Sequence, residues 1–560
     1  MSETIAFDAW LDRFFDFYFR RHPVDATFIG EHQFDHTLPD FSDAGNRAAE
    51  REMLALLEEL GSVPRDGLSE AQRHDRRLAE GFLEIQLWEN ESAHFHRGNP
   101  SLYTGEAIFS ILSLFHRDSE PVKERAEAAI ARMKLIPAFL EQSRNAIQAA
   151  PIAWTERAAR EARSGNAFFS RGVHLLATER GIDSAEWRSA ASGAAEAFAQ
   201  HQQWLEAELT LRPSEHVAAG REALDRYLLK GHALRPEQDS AWVERYARAE
   251  LAKAQDELDT FAASIEPGKS AAELLARLGD EHPTVERYYG EYQRVWEEAK
   301  AAAVAADLVT WPDFPIEYVP FPESDREAAP GLYYLYYRCP APYGRSETHK
   351  YRVTPIDPAM PVETQERLLR ATNNSVIKLN HVIHHGGIGH HVQNWNAFRA
   401  ESRIGQVAGV DGASRIAMFC AGTLVEGWAC YSVELMDEIG YLTPMESLSE
   451  KQGRVRMAAR AVADVGIHTG AMTIDDAAGF YRREALMSPE AAKSEAVKNS
   501  MFPGAALMYL VGTDAIRDLR NAVQKRAGSE FSLHAFHDRF LSYGAIPVSL
   551  IAESMLDDTR

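Results

Sequence analysis

Cysteine is scarce in this sequence, with three residues among 560: Cys339, Cys420 and Cys430. So few cysteines, odd in number and widely spaced, do not indicate a disulfide framework. They are typical of buried thiols in a protein from a reducing compartment. We therefore expect a cytoplasmic protein.

We find no targeting signal in the sequence, and basic residues are outnumbered by acidic ones. Residues 1–10 include Glu3 and Asp8 and have no basic start followed by an apolar core, so we expect no signal peptide. No apolar run approaches the roughly 20 residues that span a bilayer. The 60 basic against 83 acidic residues give a net charge of -23, which disfavours nucleic acid or an anionic membrane as a partner.

Helical periodicity dominates what is present. Apolar residues from Phe7 to Tyr18 recur at steps of three and four, and Pro23 follows as a stop. The same pattern predicts helices over residues 47–60, 74–87, 122–149, 190–211, 238–265 and 284–306. The chain is long enough for a large core, and we expect a mainly α protein.

The region 308–354 departs from this pattern because prolines interrupt it repeatedly. Two short segments there, 316–319 and the tyrosine-rich run 333–337, predict strands of a small sheet. Helices resume from Pro361. We therefore predict two interleaved helical lobes, residues 1–310 and 311–560, that together form one structural unit.

Four histidines lie within eight residues, which is the strongest chemical pattern in the chain: His384, His385, His390 and His391. Imidazole is the commonest protein metal ligand, and each ring brings nitrogens that need partners, so the cluster predicts a metal site. Glycines 386, 387 and 389 weaken a regular helix and predict a turn that re-aims the second histidine pair.

A carboxylate on a later helix completes the pattern. In zinc hydrolases with two histidines on one helix, the third ligand is often such a carboxylate, and Glu426 lies 36 residues after His390, in a helical stretch that begins near residue 416. Tyr431 on the same stretch is a candidate substrate contact, with core packing as the alternative. Trp428 is interpreted as a core residue.

A charged face and a loop tyrosine are further candidates. Arg460, Asp464 and His468 are spaced by four within residues 455–468 and so share one helical face. We predict that they face the metal, with Arg460 binding substrate, Asp464 supporting the site through hydrogen bonds and His468 stabilising developing negative charge. An ordinary surface pair is the alternative for Arg460 and Asp464, and a hydrogen-bonded helix histidine is the alternative for His468. Tyr509, in a loop with Pro and Gly, is a candidate donor to an oxyanion, with burial as a structural residue the alternative.

Together these segments resemble the bacterial family known as domain of unknown function 885, related to the zincin metallopeptidases. The family pattern H-E-x-x-P-G-H-H-x-Q lies over residues 384–393, and E-G-W-A-x-Y matches residues 426–431 without a break. Residues 24–30, 464–468 and 503–509 are also similar to family segments. The resemblance implies an α-helical zincin fold, broadly similar to angiotensin-converting enzyme and thimet oligopeptidase.

The chain departs from the family pattern at two positions: His385 stands where the family has a glutamate that would activate water, and Ile388 stands where it has proline. His385 could replace that glutamate as the base, since an imidazole is suited to proton transfer near neutral pH. It could instead bind the metal, which would enrich the site in nitrogen and allow iron, copper, nickel or manganese in place of zinc. A third outcome is loss of hydrolysis.

Three functions follow as hypotheses. The first is a metal-dependent hydrolase acting on an amide bond of a peptide or amino-acid conjugate, with His384, His390 and Glu426 as ligands and His391 as a further ligand or a support. The second is a non-hydrolytic metal enzyme, such as a lyase, hydratase or oxygen-using enzyme. The third is an inactive metal-binding relative. We expect one divalent metal ion, zinc first, and a small-molecule or short-peptide substrate; the oligomeric state, including a homo-oligomer, is open.

Overall fold

The computed structural model describes residues 3–118, 120–328, 338–344, 346–412 and 421–557. Helices dominate, and the described residues contain one sheet, of two strands. The predicted mainly α class is confirmed. Within the described ranges, no helix combines the length and apolar character that crossing a membrane requires.

The chain divides into two compact units. The first unit comprises Met1–Ala219, Phe321–Ser346 and Val410–Met418, and the second unit comprises Gly220–Pro320, Glu347–Gly409 and Phe419–Arg560. Each unit therefore draws on separate stretches of sequence. The predicted lobes, 1–310 and 311–560, stay a prediction.

The first unit is helical. Its α-helices are α1 Glu3–Arg21, α2 Pro23–Ile29, α3 Asp43–Ser62, α4 Glu70–Glu91, α5 Pro100–Phe115, α6 Val122–Ala146, α7 Ile152–Ala167, α8 Val173–Arg180 and α9 Ala185–Ala207. A π-helix, Phe168–Gly172, joins α7 to α8, and short 3-10 turns lie at Leu209–Leu211 and Glu323–Asp325. The apolar face predicted for α1 is buried, and its Trp10 and Phe14 rings stack at 5.8 Å.

The second unit holds the remaining helices. They are α10 Arg221–Arg226, α11 Ser240–Ile265, α12 Ala271–Leu278, α13 Tyr288–Ala305, α14 Val362–Ala371, α15 His390–Ala397, α16 Arg403–Val407, α17 Gly422–Glu438, α18 Pro444–His468, α19 Ile474–Glu484, α20 Pro489–Met501, α21 Met508–Ala527, α22 Leu533–Ser542 and α23 Val548–Asp557. Two π-helices, Tyr227–Gly231 and Val376–Gly386, and a 3-10 turn at Gly528–Glu530 complete the set.

All seven helices predicted from periodicity are present, with shifted ends. The helix predicted over 122–149 ends at Ala146, because Ile147 adopts an extended conformation. The helix predicted over 190–211 ends at Ala207 and gives way to the 3-10 turn. The helical stretch that carries Glu426 was predicted to begin near residue 416, and this start lies outside the described residues.

The sheet consists of β1 Ile316–Pro320 and β2 His349–Val353, which run parallel. The strand predicted over 316–319 is confirmed, whereas the one predicted over 333–337 lies outside the described residues. Tyr318 pairs with Tyr351 in the register, and both rings are buried. The Tyr318 hydroxyl donates to the carbonyl of His381, 3.2 Å away, so the sheet supports the π-helix Val376–Gly386.

Helix α17, which carries Glu426, is held by its packing against neighbouring helices. It packs closely along α21, and Gly427 meets Gly512 at their crossing: a Cβ on Gly427 would lie 2.6 Å from the Gly512 carbonyl carbon. Helix α18 starts with a capping box between Thr443 and Glu446 and packs on both α17 and α20. Helix α18, with Arg460, Asp464 and His468, therefore contacts both α17, which carries Glu426, and α20.

The thiols agree in part with the prediction. Cys339 is free and buried, and Cys430 is free and half-buried on α17. Cys420 lies outside the described residues.

Candidate metal centre

The histidine cluster lies where the π-helix Val376–Gly386 ends and α15 begins. His384 and His385 occupy the last turn of the π-helix, and His390 is the first residue of α15. Three residues, 387–389, form a bend and a turn between the two helices. The predicted glycine-rich turn that re-aims the second histidine pair is present, and the ring centroids of His384 and His390 lie 4.8 Å apart.

Two buried indoles hold this turn. Trp296 Nε1 donates to the carbonyl of Gly386 at 2.7 Å, and Trp428 Nε1 donates to the carbonyl of Ile388 at 2.8 Å. Trp428 is fully buried, as the core interpretation expected. The contribution of Trp296 was not predicted, because it lies 90 residues upstream and nothing local to its sequence links it to the turn.

Gly389 allows the closest approach in the turn. A Cβ built on it would lie 1.9 Å from the carbonyl oxygen of His384, a ligand candidate. Gly389→Ala should therefore lower stability by about 1–3 kcal/mol, the usual effect of overpacking. Thermal unfolding of the metal-free protein measures this.

Gly453→Ala is the matched control, since Gly453 lies inside α18 and a Cβ there would meet nothing within 4 Å. It should raise stability by roughly 0.5–1 kcal/mol, because alanine favours a helix interior. Equal unfolding temperatures in the two variants would show that the turn accommodates a side chain at Gly389.

Glu426 lies against two of the histidines. Its Oε2 atom is 3.4 Å from His384 Nε2 and 3.9 Å from His390 Nε2. Ligand atoms of a tetrahedral zinc ion, each about 2.0–2.1 Å from the metal, are separated by about 3.3 Å. Oε2 is buried and makes no hydrogen bond to any described residue. The three side chains therefore fit a divalent cation.

His385 adds a third imidazole. One ligand nitrogen from each of His384, His385 and His390 falls within 4.8 Å of the other two. His385 Nδ1 donates to the carbonyl of Asn380 at 2.8 Å, which fixes the tautomer whose Nε2 carries the lone pair. This nitrogen can accept a proton or bind a cation, so both predicted roles of His385 are compatible with its placement.

His391 and His381 make supporting contacts. His391 Nε2 donates to the carbonyl of Phe314 at 2.7 Å, and its ring stacks on Phe314 with centroids 5.1 Å apart. Nδ1 of His391 is buried without a hydrogen bond to any described residue, so both predicted roles of His391, further ligand and support, stay predictions. A hydrogen bond of 2.6 Å joins His381 Nδ1 to the Tyr351 hydroxyl.

Burial sets the protonation of the cluster. It lowers the pKa of His390 and of His391 to about 4, and that of His385 well below its ordinary value, with neighbouring histidines adding to the shifts at His385 and His390. Burial opposes ionisation of Glu426, but His384, His390 and Arg460 outweigh it and lower the Glu426 pKa to about 2. At neutral pH the imidazoles of His385, His390 and His391 are therefore unprotonated and the Glu426 carboxylate is ionised, which is the state that ligates cations.

The predicted face on α18 divides into different roles. Arg460 forms a two-point ion pair with Glu495, at 2.8 and 3.2 Å, and interacts electrostatically with Glu426. Asp464 is fully buried and accepts hydrogen bonds from the backbone N–H groups of Gly504, Ala506 and Leu507. It therefore fixes the loop before Tyr509, and its predicted support of the metal site stays a prediction.

His468 and Tyr431 are placed in the packed interior. His468 Nε2 donates to the carbonyl of Asn499 at 2.9 Å, and the Tyr431 hydroxyl bonds His537 Nε2 at 3.0 Å and Arg520 at 3.1 Å. Both side chains are fully buried. These contacts agree with core packing, the alternative for Tyr431, and with a hydrogen-bonded helix histidine, the alternative for His468. The predicted roles of both residues at the substrate stay predictions.

Tyr509 lies at the start of α21, under the guanidinium group of Arg460, which is 4.7 Å from the ring centroid. Its role as a donor to an oxyanion stays a prediction.

Cys430 lies beside the candidate metal centre, which the sequence did not predict. Its Sγ atom is 4.0 Å from His384 Nδ1.

Comparison with known proteins identifies the family and the fold of this chain. The model of a family described as "Bacterial protein of unknown function (DUF885)" matches residues 23–555. No curated protein matches the chain.

Two solved structures share the fold. One is described as "a putative lipoprotein of unknown function from Shewanella oneidensis", with a TM-score of 0.78 at 22% identity over 98% of this chain and 99% of that one. The other, "the putative lipoprotein from Colwellia psychrerythraea", has a TM-score of 0.80 at 17% identity over 100% of both chains. At these sequence identities, the likeness to the two structures shows a shared fold and nothing about function. The family match covers nearly the whole sequence, and the chain therefore belongs to the bacterial DUF885 family.

Proposed function

We propose that this protein is a metal-dependent hydrolase that cleaves an amide bond of a peptide or amino-acid conjugate. The observation that carries the proposal is the buried Oε2 atom of Glu426, without a hydrogen bond to any described residue, between His384 and His390. Two imidazoles and one carboxylate are the ligand set of several hydrolytic zinc sites, which keep a further position open. The zincin resemblance of the sequence supports the same reaction.

The residues around the cluster can divide the work of amide hydrolysis. A divalent cation, when bound, supplies Lewis acidity and makes water more acidic. His385 then accepts the proton at Nε2, since Nδ1 is committed to the carbonyl of Asn380. Tyr509 donates its hydroxyl hydrogen to the carbonyl oxygen as negative charge develops there.

A second function is favoured by one observation, the three imidazole nitrogens within 4.8 Å of one another. If His385 is a ligand, the site becomes rich in nitrogen and suits iron, copper, nickel or manganese. The protein would then be a non-hydrolytic metal enzyme, such as a lyase, hydratase or oxygen-using enzyme.

A metal-exchange assay separates these functions. The protein is stripped with a chelator, reloaded with zinc, manganese or iron, and incubated with a panel of dipeptides and N-acyl amino acids, with products followed by mass spectrometry. We expect cleavage with zinc, loss of cleavage on chelation and recovery on reloading. One bound metal per chain without cleavage under any metal would reject the hydrolase and leave the second function or an inactive metal-binding relative.

The cytoplasm remains our proposed location. The description of two structural neighbours as lipoproteins supports the competing proposal of an anchored protein. Cell fractionation of the native host distinguishes the two.

A further inference from the structure

Three cationic side chains interact with two carboxylates, Glu495 and Glu426, beside the candidate metal centre. Arg456 and Arg460 lie one helical turn apart on α18, and Glu495 and Lys498 lie one turn apart on α20. Glu495 pairs with Arg460 and also with Lys498, whose Nζ is 3.4 Å from its Oε1. Positive charge is therefore in excess in this group, which we call the cation cluster: Arg456, Arg460 and Lys498.

The cation cluster is largely buried, so solvent does not balance its charge. The side chains of Arg460 and Lys498 are 14% and 13% exposed. The Nε atom of Arg456 is buried and has no hydrogen-bond partner among the described residues. A buried guanidinium nitrogen without a hydrogen bond is unfavourable, and like charges at close range add to the penalty. Such an arrangement favours an anion that binds from outside the chain.

The cation cluster is next to the metal candidates. Arg460 and Lys498 both interact electrostatically with the carboxylate of Glu426. Arg456 and Arg460 both interact with the thiol of Cys430, whose Sγ atom lies 4.0 Å from His384. Burial lowers the pKa of Lys498 and of Arg456 below their ordinary values, and Arg460 adds to both shifts, as crowded cations require.

We infer that the cation cluster is a subsite for a free carboxylate on the substrate. The inference rests on the proposed hydrolase and narrows its substrates to amides that carry a carboxylate near the scissile bond, such as N-acyl amino acids or the C-terminal residue of a peptide. Arginine presents a planar fork of N–H donors that matches a carboxylate, and lysine adds a point charge. Binding the carboxylate here would hold the amide beside His384, His390 and Glu426.

Binding of paired probes tests the subsite without requiring turnover. Zinc-loaded protein is titrated calorimetrically with N-acetyl amino acids and with the matching amides, which lack the negative charge. We expect the acids to bind at least tenfold more tightly than the amides and to raise the thermal unfolding temperature, since a ligand that binds the folded state stabilises it. Equal binding of acids and amides, or no binding of any acid, would overturn the subsite.

Variants on α20 connect this preference to the cation cluster. Lys498→Gln should reduce the acid-over-amide preference about tenfold or more, and should abolish the acid-induced rise in unfolding temperature. Lys493→Gln is the matched control, because Lys493 is exposed on the same helix and pairs with Asp475. The subsite is rejected if Lys498→Gln keeps the same preference as Lys493→Gln. Should Lys498→Gln fail to fold, Arg456→Gln gives the same test.

The outcome separates the subsite from the hydrolase. Acid-selective binding that depends on Lys498, without cleavage of any bound acid, supports the subsite and rejects the hydrolase. Cleavage of amide-capped substrates at the same rate as free acids supports the hydrolase and rejects the subsite.

Discussion

Glu426→Ala is expected to yield a folded protein that no longer retains its metal. Metal affinity should fall by more than about 10²-fold, beyond the 10–100-fold typical of residues that only support a ligand. The reason is the position of Oε2, which is buried within 4 Å of two imidazole nitrogens. Metal content after dialysis, measured by mass spectrometry, checks the result.

Thermal unfolding provides a second measurement of the same change. A metal at 100 times its dissociation constant stabilises the folded state by about 2.7 kcal/mol, and Glu426→Ala should lose this metal-dependent part. Glu438→Ala is the control, since Glu438 lies on the same helix and forms an exposed ion pair with Arg520. Full metal occupancy in Glu426→Ala would remove Glu426 from the ligand set.

His385→Ala is expected to keep the metal and lose turnover by about 10²–10⁴-fold, the range for removal of a general base. The expectation follows from the hydrogen bond of Nδ1 to Asn380, which leaves Nε2 as the proton acceptor. Metal content and the rate of amide cleavage are measured on the same preparation. His385→Glu should restore part of the rate, because glutamate stands at this position in the family pattern.

His384→Ala gives the contrasting result, loss of metal together with activity. If His385→Ala also loses metal, His385 is a ligand and the nitrogen-rich site of the second function is favoured. Unchanged turnover in His385→Ala with full metal content would eliminate both roles.

Local patterns predicted much of the fold. The helix α11 was predicted over 238–265 and runs from Ser240 to Ile265, because apolar spacing and polar caps act within a few residues of each other. The strand β1 was predicted from its proline and aromatic surroundings. The pairing of β1 with β2 was not predictable, since it joins segments about 30 residues apart through backbone hydrogen bonds.

The candidate site was predictable where its residues cluster in sequence or match the spacing of a known ligand set. His384, His385 and His390 were found because they cluster, and Glu426 because its spacing is typical of zinc hydrolases. The cation cluster was missed apart from Arg460, because Arg456 and Lys498 are 42 residues apart and acquire meaning only when α18 and α20 pack together. His468, whose spacing from Arg460 predicted a role in the site, is fully buried, and that role stays a prediction.

In the π-helix Val376–Gly386, the number of residues matters as well as their identity, because it sets the direction of His384 and His385. A wide turn of this kind differs from an α-helix by one residue per turn, and such turns are frequent at functional sites. Deleting one residue between Val376 and His384 would leave a helix of similar polarity, yet it would rotate His384 and His385 away from His390. Natural variation in this segment should therefore consist of substitutions, and insertions or deletions should be confined to the loops on either side.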